Sequence, residues 1–167
     1  MAESKPALIE GLHDRAGHLA RRFQQKAVAH FTLNNGSFGL TSVQYAVLWA
    51  VKQRPGLDQS ALATLVAFDK STLGVVIDKL EQPGILRRTR DAIDKRRYSL
   101  RIASKGSRLL ESMQASVWNS EQALLSPLSA TEQKTLKSLL NKMLQGAAEK
   151  RVSKTALKKS IRSRSRR

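Results

Sequence analysis

Arg87, Arg88, Arg90, Lys95, Arg96, Arg97 and Arg101 place seven cations within fifteen residues, opposed by Asp91 and Asp94. Side chains of this kind bind phosphate, and a guanidinium does so with a planar fork of donors. Arg96 falls where a hairpin would turn, so it can reach into a minor groove, where narrow A·T tracts concentrate negative potential. Asp94, two residues earlier, can hold that guanidinium by a charge-assisted hydrogen bond before any nucleic acid arrives. A second group lies upstream. Lys70, Ser71, Thr72 and Val75 share the outer side of one expected helix, with Lys79 at its edge. Small polar residues at a helix start suit base edges in a major groove, and the positive end of the helix favours phosphate. A solvated surface helix and a solubilising charge run are the plainer accounts of the same residues. A third group is His18 and Arg22, four apart on one helical face and flanked by Leu19 and Phe23. An Arg and a His so placed can take a carboxylate on an apolar bed.

Other chemistries lack their residues. The chain has no cysteine, hence no disulfide framework, thiolate metal site or Cys nucleophile. Its histidines, at 13, 18 and 30, do not share a face at metal-ligand spacing, and no acidic metal cluster appears. There is no glycine-rich phosphate loop and no nucleophile elbow. The expectation is a protein without catalytic activity, metal or cofactor. The net charge of +17 points to a polyanionic partner. Nine Lys or Arg and no acid fall between Lys150 and Arg167, yet the other 149 residues hold 21 bases against 13 acids. The body is therefore basic without its tail. No run of 18 apolar residues occurs and the first ten residues lack the layout of a signal peptide, so a cytoplasmic protein is expected, with no membrane partner.

The elements that must carry these residues follow from periodicity. Leu12, Ala16, Leu19, Phe23, Ala27 and Phe31 predict a helix over 7–33, stopped by Asn34-Asn35-Gly36. Thr41 with Gln44 forms a capping box, and Leu40 with Tyr45 a hydrophobic staple, for a helix ending at Pro55-Gly56. Asp58 starts a helix of about two turns. Asp69 caps the next, which runs to about Gln82 with Leu73, Val76, Ile77 and Leu80 on its core stripe. From Ile85 the period becomes two, predicting a strand to Arg90, a loop over 91–96 and a second strand through Tyr98, Leu100 and Ile102. Two helices follow, over roughly 105–125 and from a Ser129/Glu132 capping box onward. The fold class is mainly α with a small β-hairpin wing, a winged helix-turn-helix.

At this point the residues resemble a family. The run from Asp94 to Gly106 is similar to the wing signature of the MarR regulators, an Asp-x-Arg followed by a strand ending Leu-Thr-x-x-Gly. The stretches Leu40 to Leu48 and Asp69 to Leu80 are similar to that family as well, and the likeness covers about residues 10–145. Ile102 and Ala103 depart from the usual Leu and Thr, and Ser104 is the expected substitute cap. The resemblance implies an intertwined helical homodimer that regulates transcription from a pseudo-palindromic operator, repression being the family's commoner mode. Its domains are then 1–34 (dimerisation helix), 40–103 (winged helix-turn-helix), 104–147 (dimerisation helices) and 148–167 (basic disordered tail). Apolar stripes too long for one winged unit to cover point to the same dimer.

The DNA-binding residues expected are Lys70, Ser71, Thr72, Val75, Lys79, Arg88, Arg90, Asp94, Lys95 and Arg96. Family members commonly release DNA on binding a small aromatic acid, which here gives His18, Arg22, Ser42 and Tyr45 as ligand residues. Gly17 to Arg22 with Gln24-Gln25 resembles the family's regulators of nicotinate degradation (the NicR and BpsR type), implying a hydroxylated nicotinic acid such as 6-hydroxynicotinic acid. The alternative is a nonspecific nucleic-acid-binding or nucleoid protein driven by the tail and lacking an effector.

Overall fold

The computed structural model describes residues 11–90 and 98–145. Helix α1 (Ala16–Asn35) leads through a single 3-10 turn (Gly36–Phe38) to α2 (Ser42–Gln53), α3 (Gln59–Leu65) and α4 (Lys70–Glu81). Strands β1 (Leu86–Arg90) and β2 (Tyr98–Ile102) form the hairpin, and α5 (Ser104–Leu125) follows. A last helix, α6, is described over 130–145. This is the winged helix-turn-helix order. Helix α1 begins at Ala16, preceded by a turn over 11–14, and its cap position, Arg15, offers no side-chain bond; residues 7–10 of the expected helix lie outside the described residues.

Local chemistry sets most boundaries. The Gln44 amide donates to the Thr41 hydroxyl at 3.2 Å, and the Thr41 amide to the Gln44 side chain at 2.9 Å, closing the capping box of α2. Asp58 and Asp69 accept the backbone amides of Ala61 and Thr72 at 2.8 and 2.9 Å, starting α3 and α4. Between those helices Ala67 adopts a left-handed φ of 57°, while the Phe68 amide reaches back to the Ala63 carbonyl at 3.1 Å. That six-to-one closure is the Schellman way of ending a helix, here used to turn one helix into the next. Ser104 is the first helical residue of α5 and not its cap. Buried Ala103 stands at the cap position, with its amide on the Ile85 carbonyl at 3.0 Å.

One apolar cluster holds the winged unit. Val47, Leu48 and Val51 of α2, Leu62 of α3, Leu73, Ile77 and Leu80 of α4, and Leu86 of β1 are fully buried, with Leu100, Leu110 and Met113 beside them. The hairpin is antiparallel, with Leu86 opposite Ile102, Arg87 opposite Arg101 and Arg88 opposite Leu100. The segment before α3 adds a short third edge: the Gly56 amide donates to the Leu100 carbonyl at 3.0 Å, and the Leu100 amide to that of Leu57 at 2.9 Å. Fully buried Asn35, the last residue of α1, donates to the Phe31 carbonyl at 3.0 Å and the Ser120 hydroxyl at 2.9 Å, while the Ser116 hydroxyl donates to it at 2.7 Å. These bonds fasten α1 to α5 by a satisfied polar network.

The chain divides into two compact units at Leu124 and Leu125. In the second, the Ser129 amide donates to Glu132 at 2.8 Å to cap α6, and Leu139, Met143 and Leu144 are exposed. Among the described residues no single helix is long and apolar enough to cross a membrane.

Candidate nucleic-acid interface

Helix α4 turns Leu73, Ile77 and Leu80 to the core and leaves Lys70, Ser71, Thr72, Val75, Asp78 and Lys79 exposed, as a 100° period requires. Val75 presents 56% of its surface. Gly74, between these residues in sequence, is half-buried against α3. A Cβ there would lie 3.3 Å from the Gln59 side chain, which itself donates to the Lys70 carbonyl at 3.2 Å. Helix α3 thereby pins the first turn of α4.

Asp69 organises that turn more fully than a cap needs. Its carboxylate accepts the Ser71 hydroxyl at 2.5 Å, the Thr72 hydroxyl at 2.6 Å and the Thr72 amide at 2.9 Å. Hydrogen bonds from Ser71 and then Thr72 hold it well below the usual carboxylate range, so it stays ionised.

Strand alternation sorts the hairpin's cations into two sets. Arg88 lies on the inner side, where its guanidinium pairs with Asp78 and Glu81, each at 2.6 Å, and its amide donates to Glu81 at 3.0 Å. Partial burial works against the charged form, but the bond to Asp78 and the charges of Glu81 and Asp78 outweigh it and raise the guanidinium above its ordinary value. Arg88, expected as a phosphate contact, ties β1 to α4 through these bonds. Arg87 and Arg101 take the outer side, exposed and directly opposite each other. Like charges facing across strands are destabilising alone. The period of two in the sequence carried that signal, and the expected list passed over both residues. Arg90 donates to the Tyr98 hydroxyl at 2.9 Å and lies over its ring at 5.6 Å, so an aromatic plate aims it. Asp94, Lys95 and Arg96 lie outside the described residues.

The expected ligand residues fall into two places. His18 and Arg22 are linked through His13, which sequence reasoning left out. Arg22 donates to His13 Nδ1 at 3.0 Å, and the rings of His13 and His18 meet edge to face at 5.3 Å. His18 Nε2 is buried with no hydrogen-bond partner. Arg22 borders a depression of about 530 Å³ along α1 with Leu19, Phe23 and Lys26. Tyr45 instead borders one of about 460 Å³ with Trp49, Arg54, Leu65 and Val66, and its ring stacks on Trp49 at 6.1 Å. Burial pushes the Tyr45 phenol above its ordinary value. Ser42 and His18 border neither depression. No cluster of three or more metal-ligating side chains occurs among the described residues.

Known proteins are similar to this chain in sequence and fold. A family model described as MarR family matches residues 40–98, which span α2 to the start of β2. HosA, a transcriptional regulator of Escherichia coli, is 32% identical over 133 residues, covering 80% of this chain and 97% of that protein. The PcaV regulator of Streptomyces coelicolor, solved in complex with its natural ligand, is 36% identical, with 84% of this chain and 99% of that one covered at a TM-score of 0.72. BpsR of Bordetella bronchiseptica, whose DNA binding is regulated by 6-hydroxynicotinic acid, is 28% identical, with 76% and 96% covered at a TM-score of 0.72.

Proposed function

The chain belongs to the MarR family of transcriptional regulators and is not an enzyme, and we propose that it acts as a homodimeric repressor, released from a pseudo-palindromic operator by a small aromatic acid. The observation that carries the reading is the exposed outer face of α4 beside the outward cations of the hairpin. In this reading Ser71, Thr72 and Val75 meet base edges in the major groove, while Lys70 and Lys79 hold phosphates. Arg87, Arg101, Arg90 and Lys95 extend the phosphate contact along the wing, and Arg96, aimed by Asp94, enters the minor groove. Arg88 acts indirectly by fixing the angle between wing and helix. Exposed Leu12, Leu19 and Trp118 in the first unit, and Leu139, Met143 and Leu144 in the second, supply apolar surface for a partner protomer. Residues 1–34 and 104–147 are assigned to that dimer.

The effector is assigned to Arg22, which borders the depression along α1, and to His18 one turn before it, with Tyr45 on a second depression. Arg22 is held by a neutral acceptor, His13, which a carboxylate can displace as the stronger partner. The likeness to BpsR makes 6-hydroxynicotinic acid the first compound to try.

The test is fluorescence anisotropy on the promoter region beside the protein's own gene, against a scrambled duplex, at about 100 and about 200 mM salt. Specific binding reversed by one aromatic acid, and insensitive to that acid in Arg22→Ala, is the expected result. Equal, salt-sensitive affinity for both duplexes overturns the reading and leaves a nonspecific nucleic-acid binder, the role the basic run at 150–167 would suit.

A further inference from the structure

We infer that Ser71 and Thr72 read DNA as hydrogen-bond acceptors only, so that the bases under them present an exocyclic amino group, adenine N6 or cytosine N4. This rests on the reading of α4 as the groove helix. A hydroxyl has one proton to give and two lone pairs. Both protons are committed, Ser71 to one oxygen of Asp69 at 2.5 Å and Thr72 to the other at 2.6 Å. An ionised carboxylate accepts and cannot donate, so the direction of both bonds is fixed. What remains toward the groove is oxygen lone pairs, backed by a negative charge. In the major groove, guanine O6 and N7 and thymine O4 are acceptors, and they would be repelled. The amino groups of adenine and cytosine are the donors. One turn along, exposed Val75 offers methyl groups suited to the thymine methyl. Gln59, bonded to the Lys70 carbonyl, ties the backbone of this first turn to α3.

Every base pair carries both an amino group and a carbonyl, so a consensus sequence alone does not decide the matter. The experiment first locates, in an operator bound by the full-length protein, the positions whose discrimination disappears in Ser71→Ala and Thr72→Ala. At those positions the amino group is deleted by placing purine for adenine or 2-pyrimidinone for cytosine. In separate duplexes the carbonyl oxygen is deleted by placing 2-aminopurine for guanine or 5-methyl-2-pyrimidinone for thymine. Loss of the amino group should weaken wild-type binding about threefold to tenfold, the worth of one neutral hydrogen bond. The two alanine variants should not sense it, and loss of the carbonyl should leave affinity unchanged. Asp69→Asn keeps a capping side chain but adds an N–H donor, freeing a hydroxyl proton. That variant should lose much of the penalty for amino deletion. A penalty on carbonyl deletion, or none on either, overturns the inference while leaving specific DNA binding intact. Absence of any sequence preference overturns both the inference and the regulator reading beneath it.

Discussion

Replacing Gly106 by Ala tests how the wing is anchored. Gly106 lies in the first turn of α5 with its backbone pressed on the segment that enters β1. A Cβ built there overlaps the Ile85 carbonyl oxygen, and it stands 2.9 Å from Ile102 Cγ1 and 3.1 Å from Ile85 Cγ2. Carbon atoms at rest sit about 3.5–4.0 Å apart, so the carbonyl and both side chains must give way. The carbonyl is not free to do so, because it accepts the Ala103 amide at 3.0 Å. Overpacking of this kind costs about 1–3 kcal/mol. Straining the Ala103 bond adds about 1 kcal/mol, and the better helix propensity of Ala returns about 1 kcal/mol. The expected net loss is therefore about 1–3 kcal/mol. Gly17, also helical, has open space around its Cβ position, so Gly17→Ala should gain up to about 1 kcal/mol from propensity alone. The assay is urea denaturation at one fixed protomer concentration, since the midpoint of the proposed dimer would depend on concentration. A midpoint for Gly106→Ala at or above wild type, with an unchanged slope, would refute the close-approach argument.

The hairpin's cations should separate by salt dependence. Arg87→Ala and Arg101→Ala should each reduce the slope of log affinity against log salt by about 0.9, whereas Arg88→Met should lower affinity without changing it. An altered slope in Arg88→Met would mean that it touches phosphate after all. Asn35→Ala removes the side-chain bonds that join Phe31, Ser116 and Ser120 and should cost about 2 kcal/mol in the same denaturation assay. A loss below about 0.5 kcal/mol would show that the network is dispensable. The cap of α4 should be insensitive to pH over the working range. Asp69 is depressed, so its contribution is fully present above the unfolded value of about 4 and is lost only as pH falls below it. The stability difference between wild type and Asp69→Asn should be flat from pH 5 to 8, and a slope there would contradict the bonding described.

Periodicity and capping chemistry are local, and they determined most of what the sequence could declare. Thr41 with Gln44, Asp58 and Asp69 placed three helix starts, because a cap acts within four residues of itself. The switch to a period of two at Ile85 marked the hairpin, and the 100° period of α4 separated its core stripe from its outer face. Tertiary structure decided the rest, since each remaining feature pairs residues that the chain keeps apart. Arg88 reads as one more cation until packing sets it against Asp78 and Glu81, which ties β1 to α4. Arg87 and Arg101, fourteen residues apart, become a facing pair only through the register of β1 and β2. Asn35, written off as part of a helix stop, meets Ser116 and Ser120 more than eighty residues later. Gly106 is required because its backbone lies against Ile85, a contact no spacing rule contains. Local bonds form wherever the chain places their partners within a turn, but the direction of a charge is settled only when burial decides which partner it keeps.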